Sequence, residues 1–279
     1  MRQIESQTIT DAIYEMALSA GYSLPEPVFA ALQDAVERET GPARVVLETI
    51  VENAQVAAET KLALCQDCGM VVIFAEIGRD CHLNGDLQQA VDQGVARAYR
   101  DGYLRKSVLA DPLRRDSNTG DNTPAVVHVK LVEGDRISLH LAPKGGGSEN
   151  MSAVDMLVPA MGRQGVIDRI VEQVVRGGGK PCPPLIVGVG LGGTMEKAAL
   201  LSKWALMRTM GEASPDPDTA ALERDILEAV NATGIGPMGL GGRTTALAVH
   251  VEKHPCHIAS LPLAINLQCH SARHQHVVI

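Results

Sequence analysis

Three of the six cysteines in this chain stand in surroundings that suit metal chemistry. Cys65 precedes Gln-Asp, Cys182 lies within Pro-Cys-Pro-Pro, and Cys269 is followed by a histidine. Thiolates from three distant segments can together bind three irons of a [4Fe–4S] cluster, and the fourth iron is then open to act as a Lewis acid on a substrate. Cysteines this far apart in sequence are a weaker signal than a short local motif, so the neighbouring residues must support the hypothesis.

Cys65 and Cys68 also form a C-x-x-C motif, which occurs in redox dithiols and in zinc sites. The redox alternative requires the motif at the start of a helix, whereas Gly69 and an apolar segment follow it here. A zinc ion needs two more ligands, and Cys182 and Cys269 provide enough thiols. Counting ligands alone therefore leaves two alternatives open, a zinc site and an iron–sulfur cluster.

Three successive glycines at 145–147 form a second feature that suits ligand binding. They lie in Lys-Gly-Gly-Gly-Ser-Glu-Asn at 144–150, directly after a predicted strand. A backbone without Cβ atoms can approach an anion closely, and Lys144 adds a positive charge. We therefore predict a substrate-binding loop here in preference to a flexible hairpin end.

A different glycine pattern, G-x-G-x-x-G at 188–193, is typical of dinucleotide-binding folds when it follows a strand and begins a helix. Such a fold also requires a second strand after that helix, ending in an acidic residue that binds ribose. The chain instead continues into a Pro- and Asp-rich segment at 214–218. The same pattern recurs at 234–239 before a strand, so we do not predict a dinucleotide site.

Four further side chains are candidates for contacts to an anionic substrate. Arg105, Arg243 and Arg273 can each bind a carboxylate through the guanidinium fork, although arginines in such positions are more often ordinary surface residues. His257 precedes a predicted strand and can donate to a substrate oxygen, with a buried structural histidine as the alternative.

Composition restricts the classes of partner. Hydrophobic residues make up 45% of the 279 positions and aromatic residues only 3%, so the predicted core is aliphatic and base-stacking surfaces are not expected. A formal net charge of −8 disfavours nucleic acid and anionic membranes, but a few local Arg and Lys residues can still hold a small anion.

The N-terminus lacks the apolar stretch of a signal peptide, and no segment has the ~20 apolar residues of a membrane span. We therefore expect a cytoplasmic protein whose cysteines are thiols or metal ligands rather than disulfides.

The periodicity of apolar residues predicts an α/β fold in one compact domain, single-lobed or bilobal, with ligand-bearing loops at strand ends. An N-terminal helical layer covers 1–62, and a mixed α/β body covers 63–279. The predicted helices are 5–20, 25–39, 43–61, 86–103, 166–176, 194–210 and 219–231. The predicted strands are 70–77, 125–131, 136–141, 185–189, 245–252 and 258–266, of which the second and third form a pair around a turn at 133–135. The tail, 270–276, is expected to be a solvated end.

Six segments together resemble the class I, iron–sulfur fumarase family over nearly the whole chain and in the order of the family's motifs. They are Cys-Gln-Asp at 65–67, Asn-Thr-Gly-Asp-Asn-Thr-Pro at 118–124, Ala-Pro-Lys-Gly-Gly-Gly-Ser-Glu-Asn at 142–150, Cys-Pro-Pro at 182–184, Gly-Ile-Gly-Pro-Met-Gly-Leu-Gly-Gly-Arg-Thr-Thr at 234–245 and Pro-Cys-His-Ile-Ala-Ser-Leu-Pro at 255–262. The length of the chain resembles the alpha subunit of the two-subunit form rather than the longer fused enzyme.

The resemblance implies which residues form the site. The positions that match the cluster ligands are Cys65, Cys182 and Cys269. The thiols left as structural residues are Cys68, Cys81 and Cys256. The positions that match the dicarboxylate-binding residues are Gln66, Asp67, Arg105, Gly145, Gly146, Gly147 and His257. Asp67 is then the candidate acid/base, and His257 is an orienting donor. The family has Gln-Asp-Thr-Gly where this chain has Gln-Asp-Cys-Gly, so Cys68 competes with Cys65 for the role of first ligand.

By the same resemblance, the expected activity is that of a hydro-lyase of the tricarboxylic acid cycle that interconverts (S)-malate and fumarate, with the substrate bound at the open iron of a [4Fe–4S] cluster. The expected partners are a dicarboxylate substrate and a separate fumarase beta subunit in a homo- and hetero-oligomer, with no nucleic acid and no membrane. The family's base and further substrate-binding cations belong to the beta subunit, so this chain alone is expected to be catalytically incomplete.

The alternative within the family is the alpha subunit of L-tartrate dehydratase. The alternative from another class is a zinc-stabilised, non-catalytic binding or assembly subunit.

Overall fold

A computed structural model describes residues 2–279 of the chain. These residues divide into two compact units, and both units are discontinuous in sequence. The first unit comprises 2–25, Asn53–Gly146 and Arg273–Ile279, and the second comprises Glu26–Glu52 and Gly147–Ala272. None of the helices in the described residues is long and apolar enough to cross a membrane.

Helices and strands are mixed along the described chain, which confirms the predicted α/β class. The strands are β1 (Arg2–Glu5), β2 (Met70–Gly78), β3 (Cys81–Asn84), β4 (Val126–Val132), β5 (Ile137–Lys144), β6 (Ala153–Leu157), β7 (Leu185–Gly192), β8 (Ala246–His254), β9 (Leu261–Gln268) and β10 (Gln275–Val278). The helices are α1 (Ser6–Tyr22), α2 (Glu26–Arg38), α3 (Gly41–Thr60), α4 (Leu87–Asp101), α5 (Gly146–Glu149), α6 (Gly162–Gly177), α7 (Met195–Ala205) and α8 (Pro217–Asn231). Short 3₁₀ turns lie at Pro159–Met161 and Pro237–Gly239.

The first unit is built on a four-stranded sheet in the order β10-β5-β2-β4, with β1 and β3 as a separate parallel pair. Helices α1 and α4 pack together and form one core with apolar residues of β2 and β5. Ile9, Ile13 and Ile73 are completely buried in this core. At Gly94 the two helices approach so closely that a Cβ would lie 2.7 Å from the carbonyl oxygen of Thr10. Glycine at this position therefore permits the tight packing of α1 on α4.

Two predictions about this sheet are wrong. β4 and β5 do not pair with each other, because β2 lies between them, parallel to β4 and antiparallel to β5. Every side chain of β2 from Val71 to Ala75 is buried, and a strand that is apolar on both faces is most stable in the centre of a sheet. The tail is not a solvated end, because β10 pairs with β5 and Arg273 is only 3% exposed.

The second unit contains a four-stranded sheet in the order β6-β9-β7-β8. Apolar residues of α6 and α8 form a core with β7, β8 and β9, and α7 packs on the other side of β7 and β9. A Cβ at Gly188 would lie 2.2 Å from the carbonyl oxygen of Ser202, and one at Gly190 would lie 2.0 Å from that of Ala198. These glycines therefore allow α7 to pack closely on β7. This packing role accounts for two glycines of the G-x-G-x-x-G pattern without a dinucleotide.

Most predicted helix boundaries agree with the structure to within a few residues, but α7 ends at Ala205 rather than at 210. The strand predicted at 258–266 begins only at Leu261, as β9, because 255–260 is an exposed turn in which Ile258 is 92% exposed. The periodicity misses β1, β3, β6 and β10, which have only four or five residues each. Such short strands have too few alternating positions to give a signal.

Candidate active site

Cys65 lies in a short loop of the first unit between α3 and β2. Before the cysteine, the backbone N–H of Leu64 donates to the carbonyl oxygen of Gly21. After it, the carbonyl oxygen of Cys68 accepts a hydrogen bond of 2.7 Å from the buried hydroxyl of Tyr99. Burial raises the pKa of this tyrosine well above its usual range, so its hydroxyl remains a neutral donor. The loop is therefore held on both sides of Cys65.

Cys65 and Cys68 differ in their accessibility. Cys68 is 4% exposed, and its Sγ accepts a hydrogen bond of 3.1 Å from the backbone N–H of Arg105. Burial raises the pKa of the Cys68 thiol, although the Arg105 N–H opposes this effect. Cys65 is partly exposed, and its Sγ lies 3.2 Å from the side-chain oxygen of Gln66. The loop thus exposes Cys65 and keeps Cys68 as a buried thiol.

Asp67 joins two segments of the predicted site. Its Oδ1 accepts from the N–H of Gly69 at 3.0 Å, and its Oδ2 accepts from the N–H of Gly146 at 2.7 Å. The second bond connects the cysteine loop to the glycine segment, in which 146–149 form the short helix α5 rather than a flexible hairpin end. A Cβ at Gly145 would lie 3.2 Å from Oδ2, so glycine leaves room for the carboxylate. The structure therefore brings Asp67, Gly145 and Gly146 together.

Gln66 and Arg105 belong to the same unit, and both are exposed. Within residues 2–279, Arg105 forms a hydrogen bond through its backbone N–H alone, so its guanidinium is available to bind an anion. Lys144, which the sequence suggests as a second source of positive charge, is buried instead. Arg105 is therefore the exposed cation of this part of the site.

Cys182 and Cys269 are brought together in the second unit. The backbone N–H and the Nδ1–H of His270 both donate to the carbonyl oxygen of Cys182, over 3.3 and 3.0 Å. Cys182 has a φ of +57°, in the left-handed region that is unfavourable for residues with a side chain. Gly147 approaches the same turn, where a Cβ would lie 3.2 Å from the carbonyl oxygen of Lys180. Both thiols are partly exposed.

The glycine-rich segment at 234–242 supports the turn that carries Cys182. The N–H of Met238 donates to the carbonyl oxygen of Pro183 at 2.8 Å. A Cβ at Gly239, which has a φ of +77°, would lie 2.6 Å from the Cα of Gly179. The glycines therefore serve close backbone packing in front of β7.

Glu39 holds the end of this glycine-rich segment, although no motif in the sequence reveals it. The residue is 3% exposed and follows α2. Its Oε1 accepts from the backbone N–H groups of Arg243 and Thr244, over 2.7 and 2.6 Å. These main-chain donors compensate for the burial of the carboxylate. The guanidinium of Arg243, a predicted carboxylate fork, belongs to an exposed residue.

His257 is exposed in the turn before β9, which excludes the alternative of a buried structural histidine. Its Nδ1 accepts from the N–H of Ala259 at 3.1 Å, and the neutral ring therefore has its proton on Nε2, where it can donate. The ring lines a surface cavity of about 580 Å³ together with Thr194, Lys197 and His254. Within residues 2–279, no hydrogen bond connects His257 to Cys182 or Cys269.

The donor chemistry of the thiols fits an iron–sulfur cluster. Cys65, Cys182 and Cys269 form no disulfide and are partly exposed, and thiolates are the usual ligands of such clusters. Beside the Cys65 loop, the buried guanidinium of Arg273 has no acidic partner within residues 2–279, which suits a neighbouring anionic group. Among all the described residues, 2–279, no three His, Cys, Asp or Glu side chains are arranged to hold a single metal ion.

Comparison with known proteins agrees with the motifs. The model of a family described as fumarate hydratase (Fumerase) matches residues 10–278. The chain belongs to this family. A protein of Methanocaldococcus jannaschii, provisionally named L(+)-tartrate dehydratase subunit alpha, is 41% identical over 273 residues, which cover 95% of each chain. The L(+)-tartrate dehydratase subunit alpha of Escherichia coli K12 is 29% identical over 268 residues, which cover 95% of this chain and 88% of that protein.

Membership in the Fumerase family confirms both the resemblance and the predicted hydro-lyase class. The names of the two relatives fit the L-tartrate dehydratase alternative better than the predicted interconversion of (S)-malate and fumarate. The main substrate prediction therefore gives way to the alternative.

In this Fumerase-family chain, two buried polar residues contact the predicted site without belonging to a motif. The side-chain amide of Gln268 lies 3.5 Å from the Sγ of Cys269, to which it donates. The Nη2 of Arg273 donates to the backbone oxygen of Asp67 at 2.6 Å. The sequence predicts Arg273 as a carboxylate fork, but in the structure it is buried and binds a backbone oxygen. The sequence analysis misses Gln268, whose only signal is its position next to Cys269.

Proposed function

We propose that this chain is the alpha subunit of an iron–sulfur hydro-lyase that dehydrates L(+)-tartrate. The observation that carries the proposal is the similarity to proteins named L(+)-tartrate dehydratase subunit alpha over 95% of the chain. The reaction breaks the C–O bond of one carbinol carbon and removes the proton from the other carbinol carbon. It forms water and the enol of oxaloacetate, which tautomerises to the keto acid.

In this proposal the cluster is held by the thiolates of Cys65, Cys182 and Cys269. When bound, a [4Fe–4S] cluster with one open iron supplies Lewis acidity for the leaving hydroxyl. The partial exposure of Cys65 and the burial of Cys68 support Cys65 as the first ligand. The hydrogen bond from Arg105 N–H to the Cys68 sulfur further supports a structural role for Cys68.

The side chains of the chain itself bind and orient the dicarboxylate. The exposed guanidinium of Arg105 pairs with one carboxylate, and the amide of Gln66 hydrogen-bonds to a substrate oxygen. The backbone of 145–147 allows close approach, and His257 donates from Nε2. Asp67 is fixed by two backbone donors, yet each carboxylate oxygen retains a lone pair, so it can take part in proton transfer beside the base that the resemblance assigns to the beta subunit.

Fumarate hydratase activity is the second candidate. It is favoured by the segments 144–150 and 256–262, which resemble fumarase motifs. The substrates differ because tartrate has a second hydroxyl where malate has a hydrogen. A site built to hydrogen-bond that hydroxyl discriminates strongly against a substrate that lacks it, because a buried polar group then loses its partner.

Substrate identity is tested by co-expressing the chain with its beta subunit under anaerobic conditions. The values of kcat/KM are measured for L(+)-tartrate, D(−)-tartrate, (S)-malate and fumarate. The proposal expects L(+)-tartrate to have the highest value and the chain without its beta subunit to be inactive. A higher kcat/KM for malate or fumarate than for L(+)-tartrate would identify a fumarate hydratase instead.

The cofactor is tested by iron, zinc and acid-labile sulfide analysis of the anaerobically purified chain. Iron with sulfide is expected, whereas zinc without sulfide would support the non-catalytic zinc subunit. The variants Cys65→Ser and Cys182→Ser should lose iron, and Cys68→Ser should retain it. Normal iron content in Cys65→Ser together with loss in Cys68→Ser would reverse the assignment of the first ligand.

A further inference from the structure

Arg273 is a buried cation in an unusual environment. It is 3% exposed, and its Nη2 donates to the backbone oxygen of Asp67 at 2.6 Å. Its Nε is buried and has no hydrogen-bond partner within residues 2–279. The guanidinium therefore reaches the loop that carries Cys65 and Asp67 while part of its donor capacity remains unused.

The described side chains, within residues 2–279, give Arg273 no ion-pair partner. Within residues 2–279 no Asp or Glu side chain forms an ion pair with it. The nearby carboxylate of Asp67 accepts from the N–H groups of Gly69 and Gly146 instead, so the arginine binds only the neutral backbone oxygen of Asp67. A buried arginine that lacks an anionic partner is strongly unfavourable.

Other arginines show that this arrangement is not general in the chain. Arg169 is also largely buried, and it forms ion pairs with Asp155 at 3.0 Å and Glu172 at 3.8 Å. Arg208 is similarly buried and pairs with Glu223. Arg273 differs from both because no Asp or Glu side chain within residues 2–279 forms an ion pair with it.

We propose that Arg273 is a positioning residue that provides the countercharge for the anionic iron–sulfur site at the Cys65 loop. This inference rests on the proposed function, because a [4Fe–4S]²⁺ core bound by three thiolates has a net negative charge. Through Nη2 the guanidinium fixes the main chain two residues after Cys65, and through its charge it stabilises the bound anionic group. Residues that support metal ligands in this way contribute strongly to metal retention.

The proposal predicts opposite effects on the chain with and without the cluster. Arg273→Met removes the buried charge, so the apo chain should unfold at the same urea concentration as wild type or at a higher one. The same variant should lose its cluster to a chelator roughly tenfold faster or more. Arg273→Lys retains the charge but not the fork, and its rate of cluster loss should lie between those of Arg273→Met and wild type.

Arg169→Met is the matched control, since it removes a largely buried arginine that has acidic partners. It should lower the urea midpoint of the apo chain and leave the iron and sulfide content per folded chain unchanged. Two outcomes would overturn the proposal. One is a wild-type rate of cluster loss in Arg273→Met. The other is a loss of apo stability in Arg273→Met as large as that in Arg169→Met, which indicates an ordinary structural arginine.

The iron and sulfide content of the wild-type chain tests the proposed function separately. If the wild type binds no cluster, that function fails, and hydrogen–deuterium exchange of the apo chain still tests the contact. Arg273→Met should then increase amide exchange in residues 65–69 relative to wild type. Unchanged exchange would reject the positioning role of Arg273 regardless of the cofactor.

Discussion

The carboxylate of Asp67 and the backbone N–H of Gly146 form a hydrogen bond of 2.7 Å that joins two loops of the candidate site. The other carboxylate oxygen accepts from the N–H of Gly69 within the cysteine loop. Asp67 therefore organises the cysteine loop and the glycine segment relative to each other. This positioning role is separate from its predicted role as an acid/base.

Asp67→Asn distinguishes the two roles. The amide can replace only one of the two acceptors, so one backbone N–H loses its partner; because the bond to Gly146 is open to solvent, the cost is about 0.5–1.5 kcal/mol in the free energy of unfolding. We also expect a raised KM for the dicarboxylate, because the glycine segment is no longer held. Urea unfolding and steady-state kinetics with the beta subunit measure both effects. A fall in kcat with unchanged KM and unchanged stability would show that Asp67 acts in proton transfer alone.

Glu39→Ala should destabilise the second unit. It leaves the N–H groups of Arg243 and Thr244 without an acceptor, and we expect a loss of about 2–4 kcal/mol in the free energy of unfolding. Glu37→Ala is the control, because Glu37 is an exposed residue in the last turn of α2, two positions before Glu39. Urea unfolding of both variants tests the prediction, and equal midpoints would show that the buried carboxylate does not hold the glycine-rich segment.

Gly190→Ala should prevent close packing of α7 on β7, since the new Cβ would lie 2.0 Å from the carbonyl oxygen of Ala198. We expect little soluble protein, or a loss of more than about 3 kcal/mol in stability. Gly211→Ala is the control, because Gly211 has a φ of +89° and open space around it, so only about 1 kcal/mol is expected. A soluble Gly190→Ala variant of wild-type stability that has lost affinity for a dinucleotide would instead support a nucleotide site.

His250 should make stability depend on pH. Burial lowers its pKa to about 4, and Nδ1–H of the neutral ring donates to the carbonyl oxygen of Ala205. The folded chain therefore disfavours the proton that the unfolded chain binds below about pH 6.5. The contribution of His250 is fully present above that pH and is lost as the pH falls towards 4, by roughly 1–3 kcal/mol.

The neutral variant His250→Gln isolates this contribution from the other titrating groups. Urea unfolding is measured between pH 4 and 7.5 for both proteins. The stability of wild type should fall more steeply than that of the variant between pH 6.5 and 4. Parallel curves would show that the ring of His250 is protonated equally well in the folded and unfolded chains.

Several parts of the fold follow from local patterns. Helices α1 to α4 and the apolar strand β2 are predicted because their periodicity depends on residues that are neighbours in sequence. The pairing of β4 with β5 is predicted wrongly, since a turn between two strands does not exclude a third strand from the space between them. Strand order depends on which apolar faces are covered, and a local pattern does not contain that information.

The sequence by itself determined the α/β class, the family and the segments that carry Cys65, Cys182 and Cys269, because these are recorded in periodicity and in continuous motifs. Only the tertiary structure decided which thiol of the C-x-x-C motif is partly exposed, and that Arg273 is buried without an acidic partner within residues 2–279. The hydrogen bonds that organise the site join residues far apart in sequence. Asp67 and Gly146 are separated by 79 positions, Glu39 and Arg243 by 204, and Arg273 and Asp67 by 206. Contacts at such separations are created by packing, which depends on the whole chain and not on its local pattern.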